Sequence, residues 1–351
     1  MPALFQKLFL IIFLIQGLFA NKTVKPQEIN PNLDYKTKLG QVLMFNIQPD
    51  VSEEFITKLI RDYKIGNFNL VGIYSKPENA TRIITIIQRE SHKYLSYVPF
   101  IAVDEEGQIS RTVFLKSIPQ RDFKTEAAAY NEAFRRGRAL KSLGFNMVFS
   151  PVLDYTLNKT DYIWPRTFQK NKETSLLLAQ AMIKGYRDSS IIPIPKHFPG
   201  YINDDNDPHG TIIERKTFID YIESIDIFKK IMAENSPLGL MFAHLSLKEY
   251  GDTPITRSKT FVQDFLRDYK YYGLLVTDSL GMKSFKLEKS FEDATLESLL
   301  AGYDLLILSS NKEASLQVID YLSSKLNDPT IQTAIDRSFF KITVLKQTLN
   351  Y

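Results

Sequence analysis

Eight short apolar runs, separated by segments of helical periodicity, restrict more than anything else how this chain can fold. The runs cover 42–47, 70–74, 100–104, 145–150, 191–195, 238–243, 274–277 and 303–308. Their apolar residues are continuous rather than alternating, as expected of parallel strands covered on both faces. Between them, Asp50-Val-Ser-Glu53 has the form of a capping box opening a helix through Tyr63. The segment 125–143 runs into Gly144, placed to close a helix in the left-handed region, and 258–272 stops in the same way at Gly273. Further helices are expected at about 78–94, 173–188, 217–234, 291–301, 312–326 and 330–348. Eight buried strands, each followed by a helix, predict an α/β protein folded as a (β/α)8, TIM-like barrel. A doubly wound open sheet uses the same alternation and is the alternative. No composition break, repeat or long linker divides the chain, so 36–351 reads as a single barrel domain.

A barrel places its functional groups at the C-terminal ends of its strands. The third run ends in Asp104, the fourth leads into Pro151-Val-Leu-Asp154, and the fifth into Lys196-His197. The sixth ends in Ala243-His244 and the seventh in Thr277-Asp278-Ser279. Ionisable groups just past buried strands are costly unless they meet a ligand or each other. One of them could be a helix cap or a satisfied core polar group, Asp154 above all. Five on one rim point to an active site.

The densest stretch runs from Lys196 to His209, where fourteen positions hold a lysine, three aspartates and two of the four histidines of the chain. Lys196-His-Phe-Pro-Gly200, followed after six residues by Asp207-Pro-His209, resembles the signature of glycoside hydrolase family 3. More narrowly it is similar to the β-N-acetylglucosaminidase branch, which trims peptidoglycan fragments. The resemblance implies a retaining exo-β-N-acetylglucosaminidase acting on a small carbohydrate with terminal β-linked N-acetylglucosamine. Asp278, in Val276-Thr-Asp-Ser-Leu-Gly-Met282, matches the nucleophile motif, and His209 with Asp207 matches the acid/base pair carried on a loop. The chemistry is coherent. An imidazole titrates near neutrality, so it can protonate a leaving oxygen and then deprotonate water, while a carboxylate fixes its tautomer.

The resemblance also assigns sugar contacts to Asp104, Arg111, Arg166, Lys196 and His197. Arg111 is offset by one position, because a single Gly107 stands where the family has Gly-Gly. Arg166 lies in Trp164-Pro-Arg-Thr-Phe168, whose tryptophan could stack on a sugar face or simply pack a loop. His244 and Met282 line the rim more loosely. No metal or cofactor is called for, since the site has its own acid and nucleophile. The chain departs from the family pattern where Tyr201-Ile202 replace His-Gly and Ser279 replaces a frequent aspartate. Pro208 stands between the dyad residues, which restricts Asp207 to extended backbone. Two other readings remain open: a β-glucosidase-like specificity, whose acid/base usually comes from an additional domain, and a non-catalytic barrel that holds cell-wall sugar.

Composition bears on partners and location. Hydrophobic content of 44% and charged content of 24% are ordinary for a globular protein. A formal charge of +4 with no basic block argues against nucleic acid as a partner. Lys7, the apolar run 8–15 and Leu18-Phe-Ala20 have the layout of a signal peptide over 1–20, followed by a polar linker over 21–35. Left uncleaved, that segment would be an anchor and the one contact with a membrane. The absence of cysteine excludes a lipid-modified N-terminal cysteine and fits an exported, periplasmic or extracellular enzyme with a core large enough to need no disulfides. The triplets at Asn21, Asn79 and Asn158 matter only in a eukaryotic secretory pathway and are read as chance.

Overall fold

The computed structural model describes residues 33–202, 207–210, 215–235, 237–347 and 349. The expected signal peptide and all but the end of the linker lie outside the described residues, as do positions 203–206 of the loop after the fifth strand. Among the described residues, no helix is long and apolar enough to cross a membrane.

The order begins α1 (Tyr35–Val42), β1 (Leu43–Ile47), α2 (Glu53–Arg61), β2 (Asn67–Leu70), α3 (Pro77–Tyr94), β3 (Phe100–Val103) and α4 (Glu126–Leu143). It continues with β4 (Met147–Val148), α5 (Lys172–Asp188), β5 (Ile192–Pro193), α6 (Ile222–Asn235), β6 (Gly239–Phe242) and α7 (Lys259–Tyr269). The remainder is β7 (Leu274–Thr277), α8 (Lys283–Lys286), α9 (Phe291–Ala301), β8 (Leu306–Ile307), α10 (Lys312–Ser324) and α11 (Pro329–Lys346). Six strands form one parallel sheet in the order β5-β4-β3-β2-β1-β8, and β6 pairs with β7 in a second. Single parallel bridges link the two, Phe198 to Phe242 and Val276 to Leu305. The result is an α/β fold with a curled parallel sheet. Strand β1 pairs with both β2 and β8, so the first and last strands are neighbours. A doubly wound sheet instead reverses its order at a switch point.

The pleat explains both the continuity of the apolar runs and the one strand they misplace. Met44, Phe100, Ala102, Met147, Ile192, Met241, Leu274, Val276 and Ile307 form one buried cluster, while Phe45, Phe68, Val103 and Leu275 belong to a larger one shared with the helices. Successive side chains thus meet different apolar layers, as period-two geometry requires. The second strand is Asn67–Leu70, not 70–74. Its alternate residues are polar: Asn67 donates to the carbonyls of Gln41 and Leu43, and Asn69 donates to the side-chain oxygen of Asn46 at 2.9 Å. A strand whose one face carries hydrogen-bonding asparagines does not register as an apolar run.

Helix ends differ in detail. Ser52, accepting from the Phe55 amide, caps α2 in place of a box built on Asp50. Helix α4 closes at Gly144 with φ 99°, as expected. Helix α7 stops three residues before the expected end, with Lys270 in the left-handed region (φ 48°). Gly273 has another purpose, because a Cβ there would fall 2.2 Å from the Tyr271 hydroxyl. Helix α1, absent from the helices expected of the sequence, is tied to α11 by Lys38–Asp336 at 2.8 Å.

Candidate active site

Five strand ends deliver ionisable groups to one network. Asp104 follows β3, and Lys196 and His197 follow β5 at the parallel bridge between Val152 and Lys196. The bonds Lys196–His197 and Phe198–Pro199 are cis. Lys196 is buried, with its Nζ 2.6 Å from Asp104 Oδ1 and 2.6 Å from Glu106 Oε1. Arg166, in a short 3-10 turn after β4, binds both oxygens of Glu106, at 2.9 and 2.8 Å. Burial opposes ionisation of Glu106, but Arg166 and Lys196 outweigh it and hold the carboxyl well below its usual range. Burial also disfavours charge on Lys196, and Asp104 and Glu106 reverse that balance. Lys196, Arg166 and Glu106 therefore stay ionised together, each compensating the desolvation of the others.

His197 is the next link. Its Nδ1 and its backbone N–H both donate to Asp154 Oδ2 at 2.9 Å. That leaves Nε2 facing Arg166 Nη2 at 3.3 Å and Asp278 Oδ2 at 3.9 Å. Asp154, buried at 3% exposure, is a satisfied core group, and what satisfies it is the candidate site. Burial raises its carboxyl, and the charge and hydrogen bonds of His197 bring it below the ordinary value.

Asp278 follows β7 with its side chain 17% exposed. The Ser279 amide donates to Oδ1 at 2.6 Å and the Tyr201 hydroxyl to Oδ2 at 3.1 Å. Against the desolvation that opposes it, the neighbouring histidines and this amide hold the carboxyl below its usual range. His244 is fully buried, between the Thr256 hydroxyl at 2.8 Å and the Ser279 carbonyl at 3.2 Å. Burial lowers its imidazole to about 4. It packs on Phe285, and Met282 is equally buried, so neither presents a free rim surface.

The remaining candidates sit nearer the surface. Arg111 approaches Asp104 only to 4.0 Å, although its amide donates to the Asp104 carbonyl at 3.1 Å. Trp164 is half-buried and its carbonyl accepts from Thr167 and Gln169. Asp207 and His209 form an exposed pair, with Oδ1 to Nδ1 at 2.7 Å. Their segment is fixed by backbone: the carbonyls of His209 and Pro208 accept from the amides of Lys283 and Ser284, at 3.3 and 3.4 Å. These amides open α8, which follows Asp278 by five residues. Tyr162 also bonds the Asp207 carboxylate. Among the described residues, no group of three or more His, Asp or Glu is placed to hold a metal ion.

Two residues in the network were not singled out as site residues from sequence. Glu106 carried a signal, since it lies two residues beyond Asp104 and period two puts both on one side. Tyr201 was visible only as a departure from the family pattern.

Residues 34–345 match the model of the glycosyl hydrolase family 3 N-terminal domain. The chain belongs to this family. It is thereby an enzyme of the glycoside hydrolase class. A beta-hexosaminidase of Actinobacillus succinogenes is 28% identical over 308 residues, covering 79% of this chain and 84% of that protein. The beta-hexosaminidase LpqI of Mycobacterium tuberculosis is 28% identical over 342 residues, covering 92% and 85%. Among solved structures, the beta-N-acetylhexosaminidase of Beutenbergia cavernae superposes with a TM-score of 0.82 over 90% of this chain and 99% of that one, at 21% identity, a likeness of fold.

Proposed function

We propose that this family 3 hydrolase is a retaining exo-β-N-acetylhexosaminidase that removes terminal β-linked N-acetylglucosamine. Asp278 is the nucleophile, and His209, oriented by Asp207, is the acid/base. The observation that carries the reading is the anchoring of the Asp207-Pro208-His209 segment on the amides of Lys283 and Ser284, at the start of α8 just beyond Asp278. A proton donor and an ionised, partly exposed carboxylate are thereby tied to one piece of backbone.

In the first step an oxygen lone pair of Asp278 forms a bond to the anomeric carbon. The glycosidic C–O bond breaks, and its electron pair takes a proton from His209. In the second step water bonds to the same carbon and gives its proton to His209, and the electron pair of the ester bond returns to Asp278. The Asp207 carboxylate at Nδ1 leaves Nε2 to exchange both protons. Asp104, Arg111, Arg166, Lys196 and His197 bind the sugar, the ion pairs among them fixing where its hydroxyls meet donors and acceptors.

The further expectations join this reading. The eight strands are taken as one closed (β/α)8 ring over 36–351, supported by the bridges between β5 and β6 and between β7 and β8. Peptidoglycan fragments are the proposed substrates, and export through the segment 1–20 to the periplasm or beyond is the proposed location. The names of the beta-hexosaminidase relatives support the amino-sugar specificity. The test is release of phenol from an aryl β-N-acetylglucosaminide and an aryl β-glucoside by the wild type and Asp278→Ala. Release from the first substrate by wild type alone is expected. Preference for the glucoside overturns the specificity. Tight N-acetylglucosamine binding without turnover, or equal release by both proteins, overturns the mechanism.

A further inference from the structure

Tyr201 touches the carboxylate of Asp278 and has no part in the two steps above. Its placement is tightly set. Gly200 precedes it with φ 136°, a backbone region that other residues rarely adopt. Its amide donates to Asp154 Oδ1 at 2.6 Å, and its ring packs on His197 with centroids 5.0 Å apart. The backbone N–H of His244 donates to the phenolic oxygen at 2.8 Å. A phenol has one hydrogen. Since the His244 amide only donates, the hydrogen of Tyr201 is left for Asp278 Oδ2, 3.1 Å away. The chain of bonds therefore has one direction, from the His244 amide through the phenol to the carboxylate. Burial, and then the charge of Asp278, push the phenol well above its ordinary value, so it remains a donor.

We propose that Tyr201 is a positioning residue for Asp278, whose hydroxyl fixes the carboxylate and eases its departure from the glycosyl ester. This rests on the reading of Asp278 as nucleophile. A hydrogen-bond donor is held more strongly by a carboxylate than by an ester. It therefore opposes formation of the carbon–oxygen bond slightly and favours the step in which that bond's electron pair returns to Asp278. It also fixes which carboxylate oxygen faces the sugar, a geometric gain shared by both steps. The groups facing this pair are His197 and Arg166 from one side, His244 from β6, Asp154 from the β4 end, and Tyr162 and His209 from the loops.

The test uses the full chain and an aryl β-N-acetylglucosaminide. Tyr201→Phe keeps the ring and removes the donor. Its kcat should fall on the order of tenfold, with a smaller fall in kcat/KM and a burst of phenol as glycosyl-enzyme accumulates. A carboxylate that loses a donor becomes more basic, so the acid limb of kcat/KM should move up by roughly one pH unit. Substitution of 3,5-difluorotyrosine at 201, a stronger donor of nearly the same shape, should move that limb down. Equal losses in kcat and kcat/KM with an unmoved limb in Tyr201→Phe overturn the proposal. Should that variant fail to fold, the difluorotyrosine protein decides by itself, since an unmoved limb there is the same refutation. Activity in Asp278→Ala is a different result, because it removes the nucleophile reading whatever Tyr201 does.

Discussion

Asp154 Oδ2 accepts from His197 twice, through Nδ1 and through the backbone amide, at 2.9 Å in each case. One buried carboxylate therefore sets both the position of the chain after β5 and the rotation of the imidazole beside Asp278. Asp154→Asn keeps the shape but loses the charge, and turns an amide NH2 toward both His197 donors or toward the Tyr201 amide. A loss of about 1–3 kcal/mol is expected, read as a lower urea midpoint with unchanged slope. Hydrolysis should fall as well, because the Nε2 face of His197 is no longer held toward Asp278.

Glu106 is the counter-ion shared by Arg166 and Lys196, and Glu106→Gln takes from Arg166 its direct carboxylate partner and leaves Lys196 paired with Asp104 alone. Removing one partner from such a set costs about 3–5 kcal/mol. The wild type should also show this group in its acid unfolding. A carboxyl depressed by folding contributes stability that is complete above the unfolded value of about 4.3 and is lost as pH falls toward the folded value. Urea unfolding from pH 5 downward should therefore steepen in the wild type more than in the glutamine variant.

His244 acts in a window that opens at higher pH. Its imidazole is lowered from 6.5 to about 4 by burial, so the unfolded chain takes up a proton before the native one does. Stability is intact above the unfolded value and declines between pH 6.5 and about 4, by roughly 3 kcal/mol at full extent. His244→Gln retains an N–H for the Ser279 carbonyl and does not titrate. Unfolding free energies between pH 6.5 and 5, above the carboxylate range, should fall in the wild type and stay nearly level in the variant.

Strand ends were the legible part of this site. An ionisable residue directly after a continuous apolar run has few inexpensive explanations, and Asp104, Lys196, His197 and Asp278 all entered the reading that way. Glu106 did not, because its burial depends on Arg166, sixty residues further on. Tyr201 was conspicuous as a residue type, but the direction of its hydroxyl is set by an amide on another strand end, which local sequence does not encode. Asn67 and Asn69 show the same limit in the fold. Asparagines that donate across to the β1 segment make a strand invisible to an apolar criterion, while its neighbours stay plain. Gly144 and Gly273 follow the same pattern. The first closes a helix as local rules predict, and the second exists because Tyr271 crosses over it.

The exposed pair of His209 and Asp207 supports the most direct mechanistic prediction. Their side chains are 60% and 50% exposed, and the Nδ1 contact at 2.7 Å leaves Nε2 toward solvent or a bound sugar. A general acid matters in proportion to how badly the leaving group needs its proton. A sugar alkoxide needs it greatly, whereas an activated phenolate leaves nearly unaided. His209→Ala should therefore lose on the order of 10²–10⁴ in kcat/KM on a β-linked N-acetylglucosamine disaccharide, and far less on a nitrophenyl glycoside. Asp207→Ala should show the same bias with a smaller loss, since the imidazole remains but is no longer oriented. Measuring the ratio of the two substrates for each variant removes any effect of misfolding, which would reduce both rates alike. An unchanged ratio in His209→Ala would mean that the proton comes from elsewhere, and Tyr162, which bonds Asp207, is then the first residue to replace.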